Sequence, residues 1–359
     1  MKAMVLTEPK KLVYKDVPLP VIDDDEVLIK VKYCGICGSD WGSYNGMYAE
    51  EVACLPIATG HEFWGVVTEV GRGVSAIKPG DRVAVDICLT CGACYHCRRG
   101  EPLLCSSFKQ IGIHTDGAFA EYVKAPWRNC YVIPDEVDDY SAAFIEPLTA
   151  TINASRKMGC ELGASVVVIG AGLGVIHAAL AKLRGAAPVI VIDGQPSRLH
   201  MAREMAADHV IDFTKTDPVA EVMRLTGGVG ADYVLEAVGR RETYEQAFAM
   251  LRKGGKLQSF GICSDEARAS LPPAEFVLAE KKIGGSCAGI GHDWEVAIDL
   301  LRYRRIDPRP LISMVVPLWE TEKALLELHE NKDLVKVLVS PEIDRRIMLH
   351  NGKEIQHGL

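Results

Sequence analysis

The sequence predicts an α/β protein of two domains: an antiparallel, barrel-like β domain and a doubly wound domain built on a parallel sheet. Three observations carry this expectation. The 359 residues exceed the roughly 250–300 at which a single core stops growing. The first 150 residues hold short β-rich runs broken by Gly and Pro. From about Ser165 the pattern changes to continuous apolar runs alternating with helical stretches, as strands buried on both faces require.

In the first region, residues 26–32, 64–70 and 82–86 read as strands, the last entered through the turn Lys78-Pro79-Gly80-Asp81. The parallel sheet is expected over 166–169, 189–192, 209–211, 233–235 and 257–260. After Gly291 a helix carries Trp294, Val296, Ala297, Leu300 and Leu301, a second helix covers 319–329, and 335–339 is a strand. That β-rich end has no place in the parallel sheet, so the chain is expected to return to the first domain. The boundaries are then 1–150 with 292–359 for the barrel-like domain, including a cysteine lobe at 88–106, and 151–291 for the inserted domain.

A hydrophobic content of 48%, 33 glycines and a formal charge of −8 fit a globular protein and argue against nucleic-acid or anionic-membrane partners, which want clustered Lys and Arg. The start of the chain meets Glu8 and Pro9 before any apolar run long enough for a signal peptide, and no stretch approaches the roughly 20 apolar residues of a membrane span. A cytoplasmic address is expected, and in that setting closely spaced cysteines read as metal ligands.

Residues 166–169 run into Gly170-Ala171-Gly172-Leu173-Gly174, and an apolar helix follows. Glycines let the backbone approach a pyrophosphate, and the helix start supplies free N–H groups and the positive dipole end. The second strand ends at Asp193, placed to accept from ribose hydroxyls and to repel a 2′-phosphate, which favours NAD over NADP. Gly170, Gly172, Leu173, Gly174, Asp193 and Arg198 are the candidate cofactor-binding residues of this Rossmann-type unit. The third glycine of the fingerprint falls on Val175, which should shift the helix slightly. A helix-entry turn without a ligand is the bland alternative, made weak by the strand, the helix and Asp193.

Cys91, Cys94, Cys97 and Cys105 offer four thiols with no open position, the mark of a structural zinc. A thioredoxin-like pair and an iron–sulfur cluster are lesser readings of the same thiols, and Cys88 stands outside the set. Cys37, His61, Glu62 and Glu146 are scattered, and a lone His or Glu is usually a satisfied structural group. Together they make the mixed, incomplete donor set of a catalytic zinc.

Cys37-Gly38-Ser39-Asp40, Gly60-His61-Glu62, Pro79-Gly80-Asp81-Arg82-Val83, the four-cysteine lobe, residues 117–122, Glu146-Pro147-Leu148 and the nucleotide turn together resemble the zinc-containing medium-chain dehydrogenase/reductases, nearest the sorbitol and other polyol dehydrogenases. The resemblance runs nearly end to end. It implies a GroES-like catalytic domain, a catalytic and a structural zinc, NAD, and a homodimer or homotetramer formed through a sheet edge near Ile283. Cys37 and His61 become zinc ligands, and Glu146, favoured over Glu62 by a narrow margin, supplies the carboxylate. The implied reaction takes a secondary alcohol, small polyol or cyclitol to a ketone: zinc lowers the pKa of the alcohol, Ser39 receives the proton, and hydride passes to the nicotinamide.

Three departures matter. Where relatives carry a relay histidine this chain has Gly42, and the places of a polyol-reading Tyr and Arg fall on Ser43 and residues 286–289. Trp41, Tyr44, Met47 and Tyr48 either line an apolar pocket or pack loop against barrel. The rivals are a 3-hydroxy amino acid dehydrogenase of the same superfamily, a catalytically silent dinucleotide sensor, and, weakest, a zinc-ribbon nucleic-acid module resting on Arg98-Arg99.

Overall fold

The computed structural model describes residues 1–264 and 266–355. It divides into two compact units, Met1–Thr149 with Ala288–Leu359, and Ala150–Cys287. No helix among the described residues is long and apolar enough to cross a membrane.

In the first unit the strand Glu26–Gly35 pairs antiparallel with Glu62–Val70, Tyr122–Pro126 and Lys336–Ser340. Val27, Ile29 and Val31 alternate along it and bury one face with Phe63, Val67, Val83 and Val85, as a period of two dictates. One pair departs from the antiparallel expectation. Ile312–Pro317 lies parallel to Lys336–Ser340, because the helix Thr321–Glu330 carries the chain back between them, and parallel neighbours need such a crossover. The helix His292–Arg302 buries Trp294, Ala297, Ile298 and Leu301 on one stripe.

Register brings remote motifs together. Gly35 stands opposite both Glu62 and Leu338, so the loop after Gly35, the start of the His61-Glu62 strand and the strand Lys336–Ser340 share one end of the sheet. A Cβ at Gly35 would lie 2.3 Å from Glu62 Oε2, so the close approach requires glycine.

The second unit holds a six-stranded sheet whose strands, β1 to β6 in chain order, are Val166–Ile169, Val189–Asp193, His209–Asp212, Ala231–Glu236, Leu251–Ser259 and Lys282–Gly285. Their spatial order is β3-β2-β1-β4-β5-β6, and every pair is parallel. The order reverses between β1 and β4, and a ligand crevice opens at such a switch beyond the strand carboxyl ends. β5 begins six residues before the apolar run that announces it. Its first half is Arg252, Lys253, Gly254 and Gly255, and the register against β4 slips there, which hides it from pattern reading.

The helix Gly174–Leu183 after β1 buries His177, 2% exposed, edge-on to Phe260 at 4.3 Å. Neither ring nitrogen has a hydrogen-bond partner among the described residues. Burial pushes its pKa down to about 3, so the folded protein holds it neutral where the unfolded chain, with an ordinary value near 6.5, takes a proton. Stability present above pH ~6.5 is therefore lost as pH falls towards 3, at about 1.4 kcal/mol per pH unit from this group. His177→Leu should flatten that limb. Urea unfolding at pH 7 and pH 5 should show the wild type losing about 2 kcal/mol more than the variant; equal losses would remove His177 as the cause.

Candidate active site

Cys37 caps the helix Gly38–Tyr44. Three residues on, Asp40 reaches back to accept from the Cys37 N–H at 2.7 Å, closing a capping box that fixes where the thiol sits. The other Asp40 oxygen lies 3.5 Å from His61 Nδ1, long for a hydrogen bond, so this buried nitrogen has a charged neighbour without a bond of normal length. His61 Nε2 stands 3.2 Å from Ser39 Oγ. Donor atoms of Cys37, His61 and Glu62 lie within 4.8 Å of one another.

Electrostatics explain what this cluster wants. Burial alone would lower the His61 pKa, but Asp40 and Cys37 outweigh it and hold it well above the ordinary value. The pocket thus favours positive charge beside its thiol and carboxylates, and thiolate, imidazole and carboxylate donors together suit zinc. Glu62, 1% exposed, accepts from Lys336 Nζ at 2.5 Å, and the ammonium also donates to the Ile36 carbonyl at 3.1 Å. Burial lowers the lysine pKa, but Glu62, Cys37 and Asp40 raise it overall. Each buried charge needs the other.

Glu146 stands in the first turn of the helix Ile145–Met158 and outside the three-residue donor group, so the carboxylate favoured on sequence is not the one gathered with Cys37 and His61. Burial pushes its carboxyl up to about 8, Glu62 and Asp86 push the same way, and His61 and Lys336 oppose them. A divalent cation here would favour the ionised form of Glu146 against that burial. Of the aromatic residues nearby, Trp41 stacks on His329 at 3.6 Å and Tyr44 donates to Glu322 at 3.0 Å, so these two pack, while Met47 is exposed. Tyr48 lies against Gly42, where a Cβ would meet its ring at 2.5 Å.

The second cluster is Cys91, Cys94, Cys97 and Cys105, again with donor atoms within 4.8 Å of one another. Backbone N–H groups aim at the sulfurs: Cys91 N at Cys105 Sγ, 3.3 Å, and Cys94 N at Cys91 Sγ, 3.4 Å. N–H groups of Cys97 and Ser106 draw the Cys94 thiol down to about 5, whereas burial and then the thiols of Cys94 and Cys105 push Cys97 up to about 12. Four thiolates this close need a cation, and tetrahedral zinc is the fitting one. Cys88 lies outside the group.

In the second unit, Gly170 adopts φ +98° and turns the chain out of β1. Ala171 N donates to Asp193 Oδ2 at 2.7 Å, while Gly194 N and Gln195 N donate to Oδ1 at 2.8 and 2.9 Å, so the acid is locked at the end of β2. The N–H groups of Gly172, Leu173 and Gly174 make no hydrogen bond among the described residues. A Cβ at Gly172 would meet nothing nearer than Arg198 Nη1 at 3.9 Å, which leaves room for a phosphate at the helix start. Gly174 performs the close packing expected of the third glycine: a Cβ there would lie 3.0 Å from Val168, and Val175 is simply buried.

Asp40, Lys336 and Glu236 went unassigned on sequence. A lone lysine in the apolar run 335–339 was a usable signal, since buried lysines are paired. Glu236, fully buried at the end of β4, accepts from the N–H groups of Val238 and Gly239 and from Thr243, anchoring the next loop of the nucleotide unit.

Residues 23–135 match the family description alcohol dehydrogenase GroES-like domain, and residues 172–302 match zinc-binding dehydrogenase. The sorbitol dehydrogenase of Halalkalibacterium halodurans is 34% identical over 346 residues, covering 95% of this chain and 99% of that one. The L-threonine 3-dehydrogenase of Bacillus subtilis is 36% identical over 340 residues, covering 92% and 95%. The structure of the short chain alcohol dehydrogenase of Escherichia coli CFT073 complexed with NADH has a TM-score of 0.88 at 30% identity, covering 95% of this chain and 99% of that one. With the fold, these likenesses define a dehydrogenase that takes zinc and a nicotinamide dinucleotide, built from a GroES-like domain and a Rossmann domain. The chain belongs to the zinc-dependent alcohol dehydrogenase family. A polyol enzyme and a hydroxy amino acid enzyme stand at similar identity, so these relatives do not choose a substrate.

Proposed function

We propose that the protein oxidises a secondary alcohol, small polyol or cyclitol to a ketone with NAD, and that Cys37, His61 and Glu62 hold the catalytic zinc with Glu146 beside them. One observation carries the reading: a thiol, an imidazole and a carboxylate converge within 4.8 Å, with the Ser39 hydroxyl 3.2 Å from the imidazole. Zinc bound there would act as a Lewis acid that lowers the pKa of an alcohol. Asp40 orients His61 and positions Cys37. Ser39 receives the alcohol proton, and Lys336 pairs with Glu62 in a buried setting. Cys91, Cys94, Cys97 and Cys105 would hold the structural zinc.

Gly170, Gly172, Leu173 and Gly174 would cradle the pyrophosphate beside Arg198, and Asp193 would take the ribose hydroxyls. A carboxylate there disfavours a 2′-phosphate. The wild type should prefer NAD, and Asp193→Ala should cut the NAD:NADP ratio of kcat/KM by roughly tenfold or more; an unchanged ratio would sink this assignment. A dehydrogenase screen over diols, sugar alcohols, cyclitols and hydroxy amino acids tests the substrate class. Preference for an amino acid would favour the second reading, a threonine-type enzyme, which the likeness to L-threonine 3-dehydrogenase supports.

A homodimer or homotetramer is part of the proposal. β6 is the last strand of its sheet, with Ile283 41% exposed, and Val277 and Leu278 nearby are 76% and 82% exposed. A second copy pairing along that edge would cover them; light scattering that reads a monomer would remove it. The proposed address is the cytoplasm, in keeping with twelve cysteines that form no disulfide among the described residues.

A further inference from the structure

The relay position of the family is closed in this chain. A side chain at Gly42 would collide with the ring of Tyr48, whose Cε2, Cζ and Oη lie 2.5, 3.1 and 3.1 Å from where its Cβ would be. One turn of the helix Gly38–Tyr44 separates Ser39 from Ser43, which places both on one face. Ser43 Oγ lies 3.1 Å from the Ser39 carbonyl oxygen and donates to Glu51 Oε2 at 2.5 Å. Glu51 stands on the short helix Ala49–Val52, partly buried. Two ionisable groups of the site act on it: Asp40 raises its pKa and His61 lowers it. Burial is the largest influence, the Ser43 hydroxyl opposes it, and the balance leaves the carboxyl above the ordinary range. A carboxylate so held, on a hydroxyl one turn from Ser39, takes a proton more readily than an ordinary glutamate.

We propose that Glu51, reached through Ser43, accepts the proton that the alcohol releases, the task left without an imidazole at Gly42; this rests on the dehydrogenase reading above. In the forward direction the alcohol O–H proton passes to the Ser39 hydroxyl, crosses the one-turn gap to the Ser43 hydroxyl by a bridging water, and reaches Glu51, whose carboxylate becomes the acid. The C–H bond breaks, its electron pair goes with the hydrogen to the nicotinamide, and the C=O bond forms. Glu51 then releases the proton to water, so that alcohol and NAD⁺ yield ketone, NADH and H⁺.

The test uses zinc-loaded full-length protein as wild type, Glu51→Gln, Glu51→Asp and Ser43→Ala. Single-turnover NADH formation is followed against pH and substrate concentration, with an alcohol that the wild type oxidises. Glu51→Gln should slow that step by roughly 10- to 100-fold at near-constant half-saturating substrate and remove the wild-type acid limb. Ser43→Ala should shift the same limb, Glu51→Asp should restore part of the rate, and added formate should rescue Glu51→Gln. Independently of turnover, pH-difference infrared spectra should show a protonated carboxyl band that Glu51→Gln lacks. A rate within twofold of wild type with an unchanged pH profile overturns the relay. So does an effect confined to half-saturation, which would make Glu51 a substrate-binding group. If the wild type turns over no alcohol with NAD or NADP, the dehydrogenase reading falls and the relay with it.

Discussion

Cys37→Ser should lower kcat/KM for NAD reduction by at least about 10³-fold, equivalent to roughly 4 kcal/mol of transition-state stabilisation, while the fold survives. The variant loses the one thiol of the Cys37, His61 and Glu62 cluster, and a serine hydroxyl is not an anion near neutral pH. Its fold is protected by the same position. Residue 37 caps the helix Gly38–Tyr44, and its N–H donates to Asp40; serine caps a helix at least as well as cysteine. The melting temperature should therefore stay within a few degrees of the wild type. Steady-state kinetics beside thermal unfolding read both, and full activity in the variant would refute the site.

Cys94→Ser should do the reverse. It removes one of four thiols from a lobe with few structural resources besides its metal: Cys91 is exposed, the local helix Tyr95–Arg98 is a single turn, and that helix buries no residue. Structural zinc binding contributes roughly 10–16 kcal/mol in small zinc-folded peptides, and binding free energy there is folding free energy. Losing a ligand should destabilise the lobe by at least about 3 kcal/mol. Arg98 and Arg99 are exposed in it, so trypsin should nick the variant at these residues long before the wild type. The protein that remains intact should keep its turnover. Rapid loss of activity with no change in proteolysis would reverse the two roles.

The contrast between these sites also shows what could be read from the sequence. The four cysteines are legible because their ligands are neighbours in the chain. The other cluster is assembled by strand register, with Gly35 opposite Glu62 and Leu338, so residue type could propose Cys37 and His61 but separated the two acids only narrowly, in favour of Glu146. Glu62 joins the donor group because it begins the strand paired with the one leading to Cys37. Glu146 comes from a helix and stays outside. Lys336 lies 274 residues from the glutamate it neutralises, a separation that local patterning cannot span. In the nucleotide unit the apolar strands were readable because both faces are buried. The first half of β5 was not, because its glycines and register slip erase the pattern. The displaced glycine was legible as a departure, though only packing against Val168 shows that Gly174 performs the missing role.

Zinc K-edge X-ray absorption, on wild type and Cys37→Ser together, tests the central claim most directly. A four-sulfur site and a one-sulfur site average to about 2.5 sulfurs per zinc at about 2.3 Å, with nitrogen and oxygen near 2.0–2.2 Å. The variant should lose the mixed site's zinc, or its sulfur, and leave a spectrum dominated by the four-thiolate ion. An unaltered metal content and an unaltered spectrum in Cys37→Ser would mean that no zinc is held by Cys37.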